Sequence, residues 1–312
     1  MRVFRSIEEI RGIDSTSVAL GYFDGLHKGH MALIERAVHN ASMHGYGSAV
    51  FTFRNSPKNM VPGKPPVKSL ITWEEKIDLL ERAGVDYLFA PDFTEEFKLM
   101  SADDFARKVL RKACRMKEAY CGFNYHFGHK AEGTPATLMQ IAMEEQMGVY
   151  VQEPFYVNGE LVSSTLVRQA ISQGRVDLCQ DYMGRNFGLG GTVTSGKQLG
   201  RTIGFPTCNF MPAEEMILPA DGVYATLCIW KNHAYPAITN VGLRPTVSGV
   251  GRSIETHLLG FEGDLYGETI RVEFLNRIRP EVKFDDLESL KDQIQRDIQT
   301  AMQFYPRLVL ER

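Results

Sequence analysis

Two histidines three residues apart, His27 and His30, close the stretch GYFDGLHKGH (21–30). Histidines at that spacing can ligate a metal, fill a core or donate hydrogen bonds to an anion. No third ligand stands at a diagnostic spacing, which disfavours a metal. The pair follows an apolar run and is interleaved with Gly25 and Gly29. A strand, a glycine turn and a helix start converge backbone N–H groups and the positive helix end on one point, and glycine lets a phosphate approach the main chain. His27 and His30 would then donate to phosphate oxygens. A second polar group, Ser163, Ser164, Thr165 and Arg168, lies in VSSTLVRQAI (162–171). Hydroxyls, helix-start N–H groups and a guanidinium are anion receptors. The same serines and threonine serve equally well as a simple helix cap.

Two further features lie in the second half. GGTVTSGKQLGRTIGFPTCNF (190–210) contains Gly191, Gly196 and Lys197 in the pattern G-x-x-x-x-G-K. Residue 198 is Gln, where a P-loop needs a hydroxyl for its magnesium, and no parallel-sheet pattern surrounds it, so a P-loop is excluded. In SIETHLLGF (253–261), period-two alternation sends Glu255, His257 and Leu259 to one face, and Ile254, Thr256 and Leu258 to the other. Taken alone, a strand carboxylate such as Glu255 is more often solvated than catalytic, and His257 reads as structural.

The elements that must position these residues come in two textures. SVALGYF (17–23), SAVFTF (48–53), VDYLFA (85–90), KEAYCGF (117–123) and GVYVQEPFYV (148–157) read as strands. Between them, MALIERAVHNASMHG, TWEEKIDLLERAG, SADDFARKVLRKA and ATLMQIAMEEQMG carry helical spacing, with Thr72 and Glu75 forming a capping box and Ser101 a cap. That alternation predicts a parallel, doubly wound α/β sheet, with ligands bound beyond the carboxyl ends of its strands. Residues 21–30 would sit there. Near residue 184 the pattern changes to short strands and Gly/Pro turns, the mark of an antiparallel β-barrel or sandwich. A terminal helix follows in DDLESLKDQIQRDIQTAMQFY, with Leu287, Leu290, Ile294 and Ile298 as its apolar stripe. The expected domains are 1–184 and 185–312.

Composition narrows the function classes. The 312 residues are 44% hydrophobic and 23% charged, with a net charge of −3. No global basic field exists to collect nucleic acid. No apolar run approaches the roughly 18 residues a membrane span needs. Five scattered cysteines without a C-x-x-C pair argue for a reduced interior rather than a disulfide framework. A cytoplasmic protein acting on small molecules is expected, with its oligomeric state open.

The string GYFDGLHKGH resembles the G-x-F-D-x-x-H-x-G-H signature of the nucleotidyltransferase superfamily, through Gly21, Phe23, Asp24, His27, Gly29 and His30. GFNYHFGHKAEG (122–133) and VSSTLVRQAI resemble the second and third motifs of bacterial bifunctional riboflavin kinase/FAD synthetases. GGTVTSGKQLGRTIGFPTCNF is similar to the riboflavin kinase signature, and ADGVYA, NVGLRPTV, LYGETIRVEF and RIRPEVKF extend the likeness to residue 284. The resemblance implies a Rossmann-like nucleotidyltransferase domain followed by a riboflavin kinase barrel with a terminal helix. It implies phosphorylation of riboflavin to FMN, then adenylylation of FMN to FAD, with ATP as co-substrate and Mg2+ as cofactor.

It further implies roles for individual residues. Ser164, Thr165 and Arg168 would bind ATP in the first domain, with Asn124 in its nucleotide or flavin site. A flap containing Gly191, Gly196, Lys197, Gly200, Gly204 and Pro206 would cover ATP in the second. Thr207 and Asn209 would hold magnesium and phosphate, Glu255 would be the catalytic base, and Arg279 would contact the flavin or nucleotide. One departure stands out: FTFRNSPKNM (51–60) keeps Pro57 but lacks the histidine many members carry there, with Asn55 or Ser56 in its region and Lys58 beyond. His129 also stands where other polar residues are common. Two other readings fit the same motifs: a kinase with a weakened adenylyltransferase site, and a flavin-binding regulator without catalysis.

Overall fold

A computed structural model describes residues 1–60, 63, 65–194, 200, 203–246 and 249–305. The chain forms two compact units, Met1–Ser164 and Thr165–Arg312. The change of pattern near residue 184 thus falls inside the second unit, after two helices that belong to it.

The first unit begins with β1 (Arg2–Phe4), β2 (Thr16–Leu20), α1 (Lys28–His44), β3 (Gly47–Phe51), α2 (Trp73–Arg82) and β4 (Tyr87–Phe89). It continues with α3 (Glu95–Leu99), α4 (Ala102–Asp104), β5 (Met116–Gly122), α5 (Pro135–Glu144) and β6 (Gly148–Gln152). Six strands pair in the order β1-β4-β3-β2-β5-β6, all parallel. Alternation along each strand feeds two cores. Val18 and Leu20 of β2 join Phe105, Val109, Leu138 and Ile141 on one face. Ala19 joins Leu33, Ile34 and Leu80 on the other. The sheet is doubly wound, as the sequence predicts.

Three details differ from the sequence pattern. The helix capped by Ser101 widens after its first turn: Phe105–Ala113 is bonded from residue i to i+5, ending with Cys114 N–H donating to the Val109 carbonyl at 2.9 Å. The strand expected over 148–157 breaks at Gln152. Residues beyond it form a separate two-stranded hairpin, β7 (Tyr156–Val157) with β8 (Glu160–Leu161). The amino-terminal strand β1 is an addition, bonded to β4 at the edge of the sheet.

After α6 (Ser164–Ser172) and α7 (Leu178–Met183), the second unit forms β9 (Phe187–Thr192), β10 (Cys208–Phe210), β11 (Gly222–Trp230), β12 (His233–Thr246), β13 (Gly249–Leu258) and β14 (Thr269–Arg279). The antiparallel order is β10-β13-β12-β11-β14-β9. The two edges meet where Thr194, just beyond β9, bridges Asn209 of β10, its N–H donating to the Asn209 carbonyl at 2.8 Å. This closes the sheet into a barrel. Its buried face carries Tyr224 and Phe274 with a hydroxyl ladder, Thr226 to Thr239 at 2.8 Å and Thr239 to Thr256 at 2.9 Å. Each hydroxyl is satisfied by its neighbour, so the polar groups bury without a desolvation penalty.

The closing helix α8 (Leu287–Ala301) packs on the opposite face, against Ala225, Leu227 and Ile238. Its apolar stripe starts late, because Leu287 is 51% exposed while Ile294 and Ile298 pack down. All five cysteines are buried and unpaired, and burial pushes their thiols up, Cys208 to about 11. Among the described residues no helix is long and apolar enough to cross a membrane.

Candidate active sites

In the first unit, the chain reverses direction across the sheet between β2 and β5, which are neighbours. The loops after both strands lie at that switch point, where such sheets bind ligands. The loop after β2 is residues 21–27, and the turn after β5 carries Asn124, which is exposed.

The 21–27 turn is strained and heavily restrained. Phe23, Gly25 and Leu26 all have left-handed backbones, with φ of 54°, 78° and 39°. A bulky residue such as Phe23 adopts this conformation only where its surroundings over-determine it. Those surroundings are visible. The Tyr22 carbonyl accepts from Thr52 Oγ1 at 2.9 Å and from Lys76 Nζ at 2.9 Å. The Asp24 carboxylate accepts from Leu70 N–H at 3.1 Å, and its carbonyl accepts from Ser164 Oγ at 2.8 Å. Gly25 must be glycine twice over: its φ is positive, and a Cβ there would sit 2.6 Å from Leu70 Cδ1. At Gly21 the Phe23 ring occupies the place of a Cβ, with its Cζ 2.9 Å from that point.

The turn delivers the two histidines to the start of α1. His27 is the N-cap, and its Nδ1 accepts from His30 N–H at 3.3 Å. That bond fixes the ring proton on Nε2, leaving an Nε2–H donor. The His27 and His30 rings stack with centroids 3.6 Å apart, and Phe23 meets His30 edge-on with centroids 5.2 Å apart. Gly29 makes room, since a Cβ there would lie 3.3 Å from His27 Nδ1. His30 is held well below the usual imidazole range, first by burial, then by repulsion from His27 and Lys76. Its Nδ1 is buried without a hydrogen-bond partner. Two imidazoles stacked at a helix N-terminus place ring nitrogens beside the positive end of α1, where anions are favoured. No group of three or more metal-type His, Cys, Asp or Glu side chains occurs among the described residues.

Ser164, buried in part, opens α6, with exposed Thr165 next and Arg168 one turn on. The bond from Ser164 to Asp24 joins the third sequence motif to the first. Asn55, in the region of the missing histidine, is fully engaged elsewhere: Phe93 N–H donates to its Oδ1 at 2.6 Å, and its Nδ2 donates back to the Phe93 carbonyl at 3.2 Å.

In the second unit, strand register assembles the polar face. Glu255 of β13 lies directly between Asn209 of β10 and Asn240 of β12. Residues opposite in register share a face, so a carboxylate and two amides line up across three strands. Thr207 stands two residues before Asn209 and therefore on the same side of the chain. Asn240 Nδ2 also donates to Glu281 at 3.3 Å, and Glu281 lies over Gly242, where no side chain blocks it. The expected alternation holds: Ile254, Thr256 and Leu258 are buried, Glu255 and His257 partly open. His257 is tied to the main chain, its Nδ1 2.7 Å from the Pro206 carbonyl. Beside Thr207 is a cleft lined by Pro206, Leu258, Phe261, Asp264 and Tyr266.

The glycine-rich segment is partly within view. Gly191 packs on Phe210, whose Cδ2 would be 2.6 Å from a Cβ. Gly200 accepts from Phe205 N–H at 2.8 Å, and Gly204 has a φ of 89°. Gly196 and Lys197 lie outside the described residues. Arg279 does not face open space: its guanidinium forks onto the buried Asp297 of α8 at 2.8 to 3.0 Å.

Two family models match, FAD synthetase over residues 11–166 and riboflavin kinase over residues 183–305. The chain is 34% identical to the bifunctional riboflavin kinase/FMN adenylyltransferase of Escherichia coli K12, covering 95% of this chain and 97% of that one. The chain belongs to the bifunctional riboflavin kinase/FMN adenylyltransferase family. The enzyme of the same name from Bacillus subtilis 168 is 33% identical, with 93% of each chain covered. A crystal structure described as a macrolide-efflux protein from Streptococcus pneumoniae superposes with a TM-score of 0.89, at 32% identity over 97% of this chain and 99% of that one. Both catalytic domains of the riboflavin kinase/FMN adenylyltransferase family are therefore present in one chain.

Sequence reasoning missed two members of these sites. Lys76 is 5% exposed beneath the 21–27 turn. Its signal was its place within the apolar stripe of α2, three residues after Trp73 and four before Leu80. Asn240 becomes visible only once β12 is registered against β13.

Proposed function

We propose that the family's two reactions run on the two polar faces described above. The observation that carries this is the division of chemistry between them: a carboxylate among amides in the barrel, and stacked histidines at a helix N-terminus in the α/β unit. The functional boundary is proposed near residue 184.

In the barrel, Glu255 accepts the proton of the riboflavin 5′-hydroxyl. That oxygen then attacks the γ-phosphorus of ATP as the bond from the γ-phosphorus to the β-bridging oxygen breaks, giving FMN and ADP. A neutral alcohol needs such a base, which typically contributes about 10²–10⁴ in rate. Asn209 and Asn240 orient Glu255 from either side. Thr207 and Asn209 offer hard oxygen donors on that face, which suits Mg2+, and they are the residues that would hold it. Bound there with ATP, the ion would neutralise phosphate charge. The Phe261 and Tyr266 cleft beside Thr207 suits a planar base, and the family resemblance assigns ATP contacts to Gly191, Gly196, Lys197, Gly200, Gly204 and Pro206.

In the α/β unit, a phosphate oxygen of FMN attacks the α-phosphorus of a second ATP, and the bond to the β-bridging oxygen breaks to release pyrophosphate. The nucleophile is already an anion, so alignment and charge stabilisation replace a base. His27 and His30 donate to phosphate oxygens beside Ser164, and Asn124 borders the nucleotide or flavin; the family resemblance assigns ATP contacts to Thr165 and Arg168 as well. Gly21, Phe23, Asp24, Gly25 and Gly29 hold the turn in shape. Buried, unpaired cysteines and two ATP-consuming steps support a cytoplasmic setting.

The test is direct. The protein is incubated with riboflavin, ATP and Mg2+, and the flavins are resolved by chromatography. FMN followed by FAD is expected. FMN alone would leave a kinase with a failed adenylyltransferase, and no product would leave a flavin binder.

A further inference from the structure

Lys76 is a cation buried in the floor of a site built for anions. Burying an ammonium group is costly unless its protons are satisfied and its charge is balanced. An aliphatic side chain would fill the same position in the apolar stripe of α2 without that cost. The charge is instead retained and held. Nζ donates to the Tyr22 carbonyl at 2.9 Å and lies 4.6 Å from the centroid of the Tyr22 ring and 5.8 Å from that of Trp73. Burial pushes its pKa down to about 8, with the Asp24 carboxylate opposing the shift.

The contact falls where the backbone needs it. Tyr22 precedes Phe23, the first left-handed residue of the turn, whose ring edges onto His30. Losing Lys76 would leave the Tyr22 carbonyl its bond from Thr52 Oγ1 and slacken the restraint nearest that strain. Lys76 also acts at a distance, because its charge is one of the groups that keep His30 unprotonated.

We infer that Lys76 is a positioning residue for adenylyl transfer: its ammonium group clamps the turn that carries Asp24 and leads into His27 and His30, and supplies positive charge beneath those histidines. This rests on the assignment of FMN adenylylation to residues 21–30. The charged and titratable groups that act on Lys76 are Tyr22 and Asp24 of the turn and His30 of α1.

The full chain is assayed from FMN, ATP and Mg2+ to FAD between pH 6.5 and 9.5, with riboflavin phosphorylation measured alongside. Lys76→Met should lower kcat for FAD formation about 10²-fold, the scale of a misaligned reacting group, with the smaller share of the loss in KM. Lys76→Arg should keep most of that kcat. Wild-type FAD formation should fall as pH rises through about 8, where the ammonium loses its proton. Lys76→Arg should not show that fall, since a guanidinium stays charged throughout. Wild-type kcat in Lys76→Met would overturn the inference. So would Lys76→Arg losing as much as Lys76→Met while riboflavin phosphorylation persists, or sharing the wild-type alkaline fall. If Lys76→Met does not fold, the wild-type and Lys76→Arg pH profiles decide. A wild-type chain that makes FMN from riboflavin but no FAD at any pH removes the underlying assignment, and this inference with it.

Discussion

Replacing Arg279 by Met tests whether this residue anchors a helix or touches a flavin. Its guanidinium is 18% exposed and forks onto Asp297, which is 2% exposed. Deleting one partner of a buried pair costs about 3–5 kcal/mol, because it leaves the other charge unpaired. Gln293 Nε2 still donates to Asp297 Oδ1 at 2.9 Å, which places Arg279→Met near the lower end, about 3 kcal/mol. For a unit of this size, that lowers its melting temperature by roughly 6–12 °C.

The double variant Arg279→Met with Asp297→Leu should recover most of the loss, since a packed apolar pair commonly matches or exceeds a buried ion pair. Melting is followed for each variant, and the riboflavin KM is measured for the double variant. The anchoring argument predicts a KM within about threefold of wild type, well short of the roughly tenfold that 1.4 kcal/mol of lost contact would give. A double variant that melts like wild type yet loses riboflavin affinity tenfold would refute it and restore Arg279 to the flavin site.

Glu255→Gln keeps the register with Asn209 and Asn240 while removing the base, so FMN formation should fall about 10²–10⁴-fold with FMN-to-FAD conversion intact. Equal loss of both steps, resolved by chromatography, would sink the two-site assignment. His30→Ala should do the reverse, lowering FAD synthesis about 10²–10³-fold; FAD formation at the wild-type rate would remove His30 from the chemistry. Gly25→Ala must carry a Cβ at a φ of 78° and push into Leu70, which is 1% exposed and bonded to Asp24. Steady-state kinetics should show FAD synthesis impaired and riboflavin phosphorylation retained, with a stability cost of about 1–3 kcal/mol in the α/β unit. Unchanged FAD synthesis would show that the turn tolerates relaxation.

Much of this architecture was legible because its signals are local. Strand and helix periods of the α/β unit follow from which side chains each face must bury. The turn at 21–30 announced itself through its glycines and histidines. The alternation at 254–258 placed Glu255 on the open face before any partner strand was known. What stayed hidden depends on pairing between distant segments. Asn240 joins Glu255 only through the β12–β13 register, and Arg279 finds Asp297 only once α8 lies against the barrel. Lys76 was obscured for another reason: a lysine on a helix is ordinarily solvated, and only the fold shows that its stem and its charge are both enclosed.

The departure at residues 54–57 takes on a different meaning in this light. Arg54 pairs with Asp92 through two bonds at 2.9 and 3.1 Å, and Asn55 exchanges hydrogen bonds with Phe93 in both directions. Both residues tie the loop after β3 to the segment after β4, so their polar groups are committed to holding two loop ends together. Asn55 is thus a fastener in this chain rather than a substitute for a catalytic histidine. The role proposed for Lys76 puts positive charge for adenylyl transfer on its buried ammonium, beneath the turn that leads into His27 and His30. If Lys76 acts in this way, the missing histidine does not by itself disable the site. The sharper test of adenylyl transfer is the integrity of the turn, and Gly25→Ala perturbs that without removing a polar side chain.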